Sequence, residues 1–280
     1  MAATDALRAR NAEFWDAAAP GWIRHAERHD SAGRPLGAAA MAALNPVPGE
    51  RILDVGCAAG GTTAELALAV SPTGEAVGLD LSAALIGAAR GRFPGLTFHA
   101  ADIETVGAVP GAPFDGAFSR MALMLLADPV AGCATIRRSL RPGGRLAATV
   151  FRDSASTPWL AAALLGAAPH VGPLPPLPLG DEPGPFAFAD ESRVRRVLAA
   201  SGFADPGVRA HDVTLIATEP AEVVAEWLIE LGPAGAAYRS GDPAARAAAR
   251  NGTSRLLERF RADGTAYHLP TGIWVITAYS

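Results

Sequence analysis

The stretch Ile52-Leu53-Asp54-Val55-Gly56-Cys57-Ala58-Ala59-Gly60-Gly61-Thr62 carries the strongest structural signal in the chain. A short apolar run ends in a glycine-rich turn, and helical periodicity begins directly after it, over about Gly61 to Val70. Small residues in such a turn let a ligand come close to the backbone. The N-terminus of the following helix offers unpaired N–H groups and the positive end of the peptide dipoles, which suit a carboxylate as well as a phosphate. Asp80 ends the next apolar run, Ala76-Val77-Gly78-Leu79-Asp80, at about the distance from the turn at which an acidic residue grips ribose hydroxyls. Turn and acid together point to a nucleoside-containing ligand. The plainer alternative is a structural turn with Asp80 capping the next helix.

The same rhythm continues outward from this stretch. A helix is predicted from about Ser82 to Phe93, strands over Leu96–Ala100 and Phe114–Ser119, and a helix over about Val130–Leu140. Pro142-Gly143-Gly144 then turns the chain into a strand over Arg145–Phe151. Short apolar strands alternating with helices imply a parallel sheet covered on both faces, with ligands at the carboxyl ends of the strands. Upstream, Asp5 to Leu44 reads as helices, broken at Pro20-Gly21 and around Gly33–Pro35. Downstream, a helix over Thr157–Ala167 leads into the Pro-rich segment His170–Pro185, either a surface loop or a substrate lid. Helices follow at Glu191–Ala200, Ala221–Leu231 and Pro243–Arg261, with late strands near Val213–Ala217 and Ile273–Thr277. These segments divide the chain into a helical N-terminal cap (1–48), a core (49–152) and a capping region with the late strands (153–280), all within one domain.

Composition narrows the chemistry. The 280 residues are 50% hydrophobic and carry a net charge of -4, with no basic run or basic–aromatic stripe, so nucleic acid is not an expected partner. Cys57 and Cys133 supply neither a disulfide framework nor a CxxC knuckle, and no metal site is expected. No signal-peptide core or membrane-length apolar run appears, so a cytoplasmic protein without a membrane partner is expected. All 24 fixed basic charges are arginine. The absence of lysine excludes a Walker-type phosphate loop and a lysine Schiff base.

The motifs resemble those of the class I S-adenosylmethionine-dependent methyltransferases. Leu53-Asp54-Val55-Gly56-Cys57-Ala58-Ala59-Gly60 looks like their first motif, with Ala58 where the family usually has its second glycine. Val77–Ser82, His99–Ile103, Phe114–Arg120 and Leu140–Leu146 are similar to the motifs of the second to fifth strands, in the family's order. Ser119-Arg120-Met121 to Asp128-Pro129 and, more loosely, Pro183–Asp190 and Ala200–Phe203 resemble the ubiquinone/menaquinone-biosynthesis-type branch. The resemblance implies a Rossmann-like α/β three-layer sandwich, its seven-stranded sheet mostly parallel with an antiparallel last strand, and S-adenosylmethionine as cofactor. It implies that Asp54, Gly56, Cys57, Ala58 and Gly60 form the turn facing the methionine part, and that Asp80 takes the ribose hydroxyls. Asp102 would take the adenine amino group, with Ile103 and Leu81 against the ring. Ser119 would lie where cofactor and acceptor meet, and Trp22, with Trp15, would close over the cofactor.

A sulfonium already activates its methyl group, so alignment and water exclusion are the enzyme's main tasks. A general base is optional. His170, at the start of the Pro-rich segment, is the first candidate base, and Arg120 a candidate for binding an acceptor carboxylate or phenolate. Arg120 could equally pair with an acid such as Asp102 or Asp128. His25 and His29 share a helix face as a metal pair would, but the run His-Ala-Glu-Arg-His reads better as a solvated face. Met121, Met124, Trp159, Phe186, Phe188 and Trp227 are either acceptor wall or plain core. The expected reaction is methyl transfer to O, N or C of a small, apolar or aromatic metabolite. The alternatives are another reaction using the same cofactor, such as a cyclisation, a nicotinamide-dependent oxidoreductase, and a non-catalytic binder. A homodimer stays open, since the late helices suit a dimer surface or a cap.

Overall fold

The computed structural model describes residues 2–178, 180–262 and 264–280. Two long helices open the chain, α1 (Ala2–Arg24) and α2 (Ala26–Leu44). The core then alternates as β1 (Arg51–Val55), α3 (Gly61–Val70), β2 (Glu75–Asp80), α4 (Ala83–Arg92), β3 (Thr97–Ala100), β4 (Phe114–Arg120), α5 (Pro129–Arg138) and β5 (Leu140–Phe151). The last part runs α6 (Pro158–Ala167), α7 (Glu191–Ala200), β6 (Ala204–Ala217), α8 (Ala221–Leu231), α9 (Gly235–Ser240), α10 (Pro243–Leu257), β7 (Arg261–Ala262) and β8 (Ala266–Tyr279).

The strands form one mixed sheet in the order β3-β2-β1-β4-β5-β8-β6. The first five pair in parallel, and β8 runs antiparallel between β5 and β6. This is the expected sheet plus one strand, the two-residue β7 on the edge of β8. Parallel strands buried on both faces need unbroken apolar runs, and Ile52, Leu53, Val77, Phe114 and Phe118 are completely buried. α2 lies across β4, β5, β6 and β8, while α10 packs on α6 and α8. α1 reaches α4, α8 and α9. The order in which strands are added reverses between the parallel neighbours β1 and β4, and the carboxyl ends at such a switch point are where ligands bind in open α/β sheets.

Two expected helix breaks are absent. Pro20 lies inside α1, and Gly33 and Pro35 lie inside α2. A proline removes one N–H and crowds the preceding turn, but packing against the late helices holds α1 together across it. The Arg239 guanidinium donates to the Ala17 carbonyl there. The late strands are also longer than their apolar cores suggest. β6 spans 14 residues because it is an edge strand whose Arg209–Asp212 stretch faces solvent.

Candidate functional site

The glycine turn wraps over the end of β2. Gly56 and Cys57 donate their N–H groups to the Leu79 carbonyl at 2.8 and 3.1 Å. Ala58 donates to Asp80 Oδ2 and Ser82 to Asp80 Oδ1, both at 2.9 Å. Asp80 is thereby fixed at the end of β2 with one N–H on each oxygen, leaving lone pairs on both free for further donors. Burial raises its pKa, opposed by the two backbone N–H groups. Gly56 adopts φ +74°, and a Cβ on it would strike Ala122. Ala58 also adopts a left-handed φ of +46°. The usual glycine is thus the conformationally matched residue at this position, and the alanine costs about 1–2 kcal/mol.

Asp54 sits beneath the turn, fully buried, and its Oδ2 accepts hydroxyls from Thr62 at 2.6 Å and Thr63 at 2.7 Å. Its Oδ1 has no partner. Desolvation raises its pKa to about 6 against the hydroxyl bonds. Cys57 is buried, and burial lifts its thiol well above the ordinary value. Ser119 ends up completely buried with its hydroxyl donating to the Val55 carbonyl at 3.0 Å, so that donor ties β4 to β1.

Asp102 lies beyond the end of β3, where its Oδ1 accepts the Glu104 N–H at 2.8 Å. Arg8 of α1 reaches over this end, with Nε 3.5 Å from both Asp102 Oδ2 and Glu104 Oε2. Glu104 is almost wholly buried, yet it accepts the N–H groups of Ala127 and Asp128 at 2.9 and 2.7 Å. Ile103 is buried and Leu81 half-buried at the same edge. α1 thus lies over the predicted adenine end.

The histidines differ from expectation. His25 and His29 do not form a solvated face, because α1, α2 and α8 close over them. His25 is 7% exposed, 3.0 Å from Arg28 and 3.4 Å from the fully buried Glu230. His29 packs edge-on to Trp22 at 4.6 Å, and Trp22 in turn meets Trp15 at 5.4 Å. Desolvation, then the positive charge of Arg120, lowers the His29 pKa from 6.5 to about 3. The Trp22 Nε1 and His29 Nδ1 atoms are buried without partners. His170 goes elsewhere: it follows α6 and its ring lies against Gly252 of α10, and no bond among the described residues ties it to the strand ends. Of the wall candidates, Met124, Trp159, Phe188 and Trp227 are core, while Met121 and Phe186 are half-buried.

Arg120 extends from β4 beneath α2, against Gly37. It pairs with neither Asp102 nor Asp128 but with Asp30 of α2, at 3.4 Å. Asp30 makes its shorter bond, 2.7 Å, to Arg92. Arg92 also donates to the Ala59 carbonyl of the glycine turn at 2.6 Å. A Cβ on Gly61 would run into the Asp30 carboxylate, so an acid from α2 occupies the N-terminus of α3. Asp30, Arg92, Arg8 and Glu104 were not singled out by the sequence. The only local hint was Asp30 following His29 in α2.

The arrangement fits a nucleoside cofactor at the strand ends. Asp80 has free lone pairs, the turn presents small residues, and polar atoms of Asp54, Trp22 and His29 lack partners. Residues 46–169 match the family model of the methyltransferase domain. That stretch carries the glycine turn, Asp80 and Asp102, and it is similar to a methyltransferase domain. Among curated proteins, the chain is 35% identical over 134 residues to a trans-aconitate 2-methyltransferase of Methylobacterium nodulans, covering 48% of each chain. It is 32% identical over 121 residues to a demethylmenaquinone methyltransferase of Beutenbergia cavernae, covering 43% of this chain and 48% of that one. The chain thus matches about half the length of these relatives. Among solved structures, the YcgJ protein of Bacillus subtilis superimposes with a TM-score of 0.53 at 15% identity, over 89% of this chain and 98% of that one. That likeness is one of fold.

No helix among the described residues is long and apolar enough to cross a membrane. No group of three or more His, Cys, Asp or Glu among them is placed to hold a metal ion.

Proposed function

We propose that the chain binds S-adenosylmethionine at the turn Gly56–Gly60 and transfers its methyl group by in-line displacement to O, N or C of a small, apolar or aromatic metabolite. Asp80 carries this reading: a half-buried carboxylate pinned by two backbone N–H groups at the end of β2, with lone pairs left for vicinal hydroxyls. Asp102 would accept the adenine amino group, with Leu81 and Ile103 against the ring. When bound, the cofactor supplies a methyl group activated by its sulfonium.

The protein's own contribution is then alignment and exclusion of water, worth up to roughly 7–11 kcal/mol in favourable cases. α1 and α2, with Trp15 and Trp22, shield the strand ends. His29, held neutral with a pKa of about 3, is a weak proton acceptor at neutral pH. His170 lies at the α6–α10 seam, so we assign the reaction no histidine base. The matched domain supports a methyl acceptor of small size. We place the chain in the cytoplasm as one catalytic unit, as a monomer or homodimer that size-exclusion chromatography distinguishes.

Calorimetric titration with S-adenosylmethionine, S-adenosylhomocysteine and NADH tests the site. Micromolar binding of the first two, lost in Asp80→Ala, is the expected result. Folded, ligand-free protein that binds neither sinks the reading. Formation of S-adenosylhomocysteine in an acceptor screen separates methyl transfer from a cyclisation or from binding alone.

A further inference from the structure

A cavity lies between α2 and α3, beside the carboxyl end of β4. It is an open groove of about 440 Å³ and shares none of the predicted cofactor residues. Its walls are mostly apolar: Ala38, Met41 and Ala42 from α2, Ala69 from α3 and Phe118 from the sheet. Short side chains on the two helices leave the space open, because alanine cannot bridge an interhelical gap that larger residues would fill. At the inner end sits Arg120, whose side chain is 9% exposed. At the rim Arg34 faces Glu65 at 3.4 Å, so the rim charges answer each other.

Arg120 is the unusual element. A guanidinium has five N–H donors and no acceptor. Among the described residues, this one makes a single bond, the long 3.4 Å contact to Asp30, whose better bond goes to Arg92. The other nitrogens of Arg120 are not among the buried unpartnered atoms, and Arg120 lines the cavity, so these donors open onto that space. Asp54 lies close enough to feel its charge, but no bond joins the two: the Asp54 Oδ2 holds Thr62 and Thr63, and its Oδ1 has no partner. The donors of Arg120 therefore remain available to something entering the cavity.

We propose that the α2–α3 cavity is a binding site for a small carboxylate on an apolar body, with the carboxylate on Arg120 and the hydrocarbon between Met41, Ala42 and Ala69. The planar fork of arginine matches a carboxylate in bidentate fashion, and the volume admits a chain of about ten carbons. The site adjoins the proposed cofactor site through Thr62 and Arg120, but its apolar lining lies outside the turn Gly56–Gly60, so the two sites can be titrated separately.

The test uses the full chain, with decanoate and decanol as probes and S-adenosylhomocysteine as a separate titrant. Decanoate is expected to bind saturably, and decanol at least about tenfold more weakly, the loss expected when hydrogen bonds to a charged group are removed. Arg120→Gln should weaken decanoate by a similar factor. Ala42→Trp, a change at an exposed helix position that fills the cavity, should abolish decanoate binding and leave S-adenosylhomocysteine binding unchanged. The Trp variant keeps the test valid if Arg120→Gln fails to fold. Equal binding of decanol and decanoate, decanoate binding that survives Ala42→Trp, or no binding at millimolar decanoate overturns the proposal.

Discussion

His29 and Asp54 should give this protein two opposed pH dependences that hide each other, and replacing His29 should expose both. Burial lowers the His29 pKa from 6.5 to about 3. A histidine with a depressed folded pKa contributes stability that is fully present above 6.5 and is lost as pH falls toward 3, because the unfolded chain takes the proton first. At 1.36 kcal/mol per pKa unit the total is about 5 kcal/mol. Asp54 works the other way, since burial raises its pKa from 3.8 to about 6. Its ionised form is a penalty of about 3 kcal/mol above pH 6, relieved as pH falls from 6 to 3.8. Between pH 6 and 4 the two slopes, each about 1.4 kcal/mol per pH unit, nearly cancel in the intact protein. The perturbation is His29→Phe, which keeps the ring edge against Trp22 and removes the titrating nitrogen. The assay is urea denaturation of both proteins from pH 7.5 to 4.5. The stability difference, wild type minus variant, should fall by about 2.7 kcal/mol between pH 7.5 and 4.5. Every other carboxylate acts equally in both proteins and drops out of the difference. A difference that stays flat across this range would falsify the buried, neutral placement of His29.

Further outcomes follow from the turn and the cap. Ala58→Gly should stabilise the protein by about 0.5–1 kcal/mol, because relief of the left-handed strain outweighs the added freedom of the unfolded chain; denaturant midpoints check it, and a net loss refutes the strain. Gly61→Ala should cost about 1–3 kcal/mol by pressing on the Asp30 carboxylate. Adding Asp30→Ala should recover much of that cost in a double-mutant cycle, whereas simple additivity would mean that the two residues do not touch. Arg8→Ala should speed hydrogen exchange along α1 and leave exchange in β1 and β2 unchanged. Uniform protection in α1 would show that the Asp102 and Glu104 contacts do not hold it.

The features legible in the sequence are contiguous ones. The run Ile52–Thr62 contains a strand, a turn and a helix start, and α3 begins at Gly61 as the periodicity predicts. The position of Asp80 at the end of β2 was readable because its strand ends one crossover away. Pro20 was misread as a break because local rules weigh the lost N–H and not the packing beneath α1. β7, two residues long, and α9, six residues long and opened by Gly235, are too short to impose a period. The polar run His25–Asp30 looked like a solvated face because nothing local reports that α8 and the end of β4 close over it. The Asp30–Arg92–Arg120 cluster joins residues 62 and 90 positions apart, and no spacing rule connects them.

Arg92 holds Ala59 with one nitrogen and Asp30 with another. The N-terminal helices are therefore fastened to the floor of the pocket as well as draped across its mouth. A lid of that construction cannot swing freely over an unchanged cradle. Each departure of α2 would slacken the loop proposed to hold the cofactor, so on that reading opening and release become a single event. Shortening the chain from its N-terminal side would remove a structural wall of the pocket along with its cover.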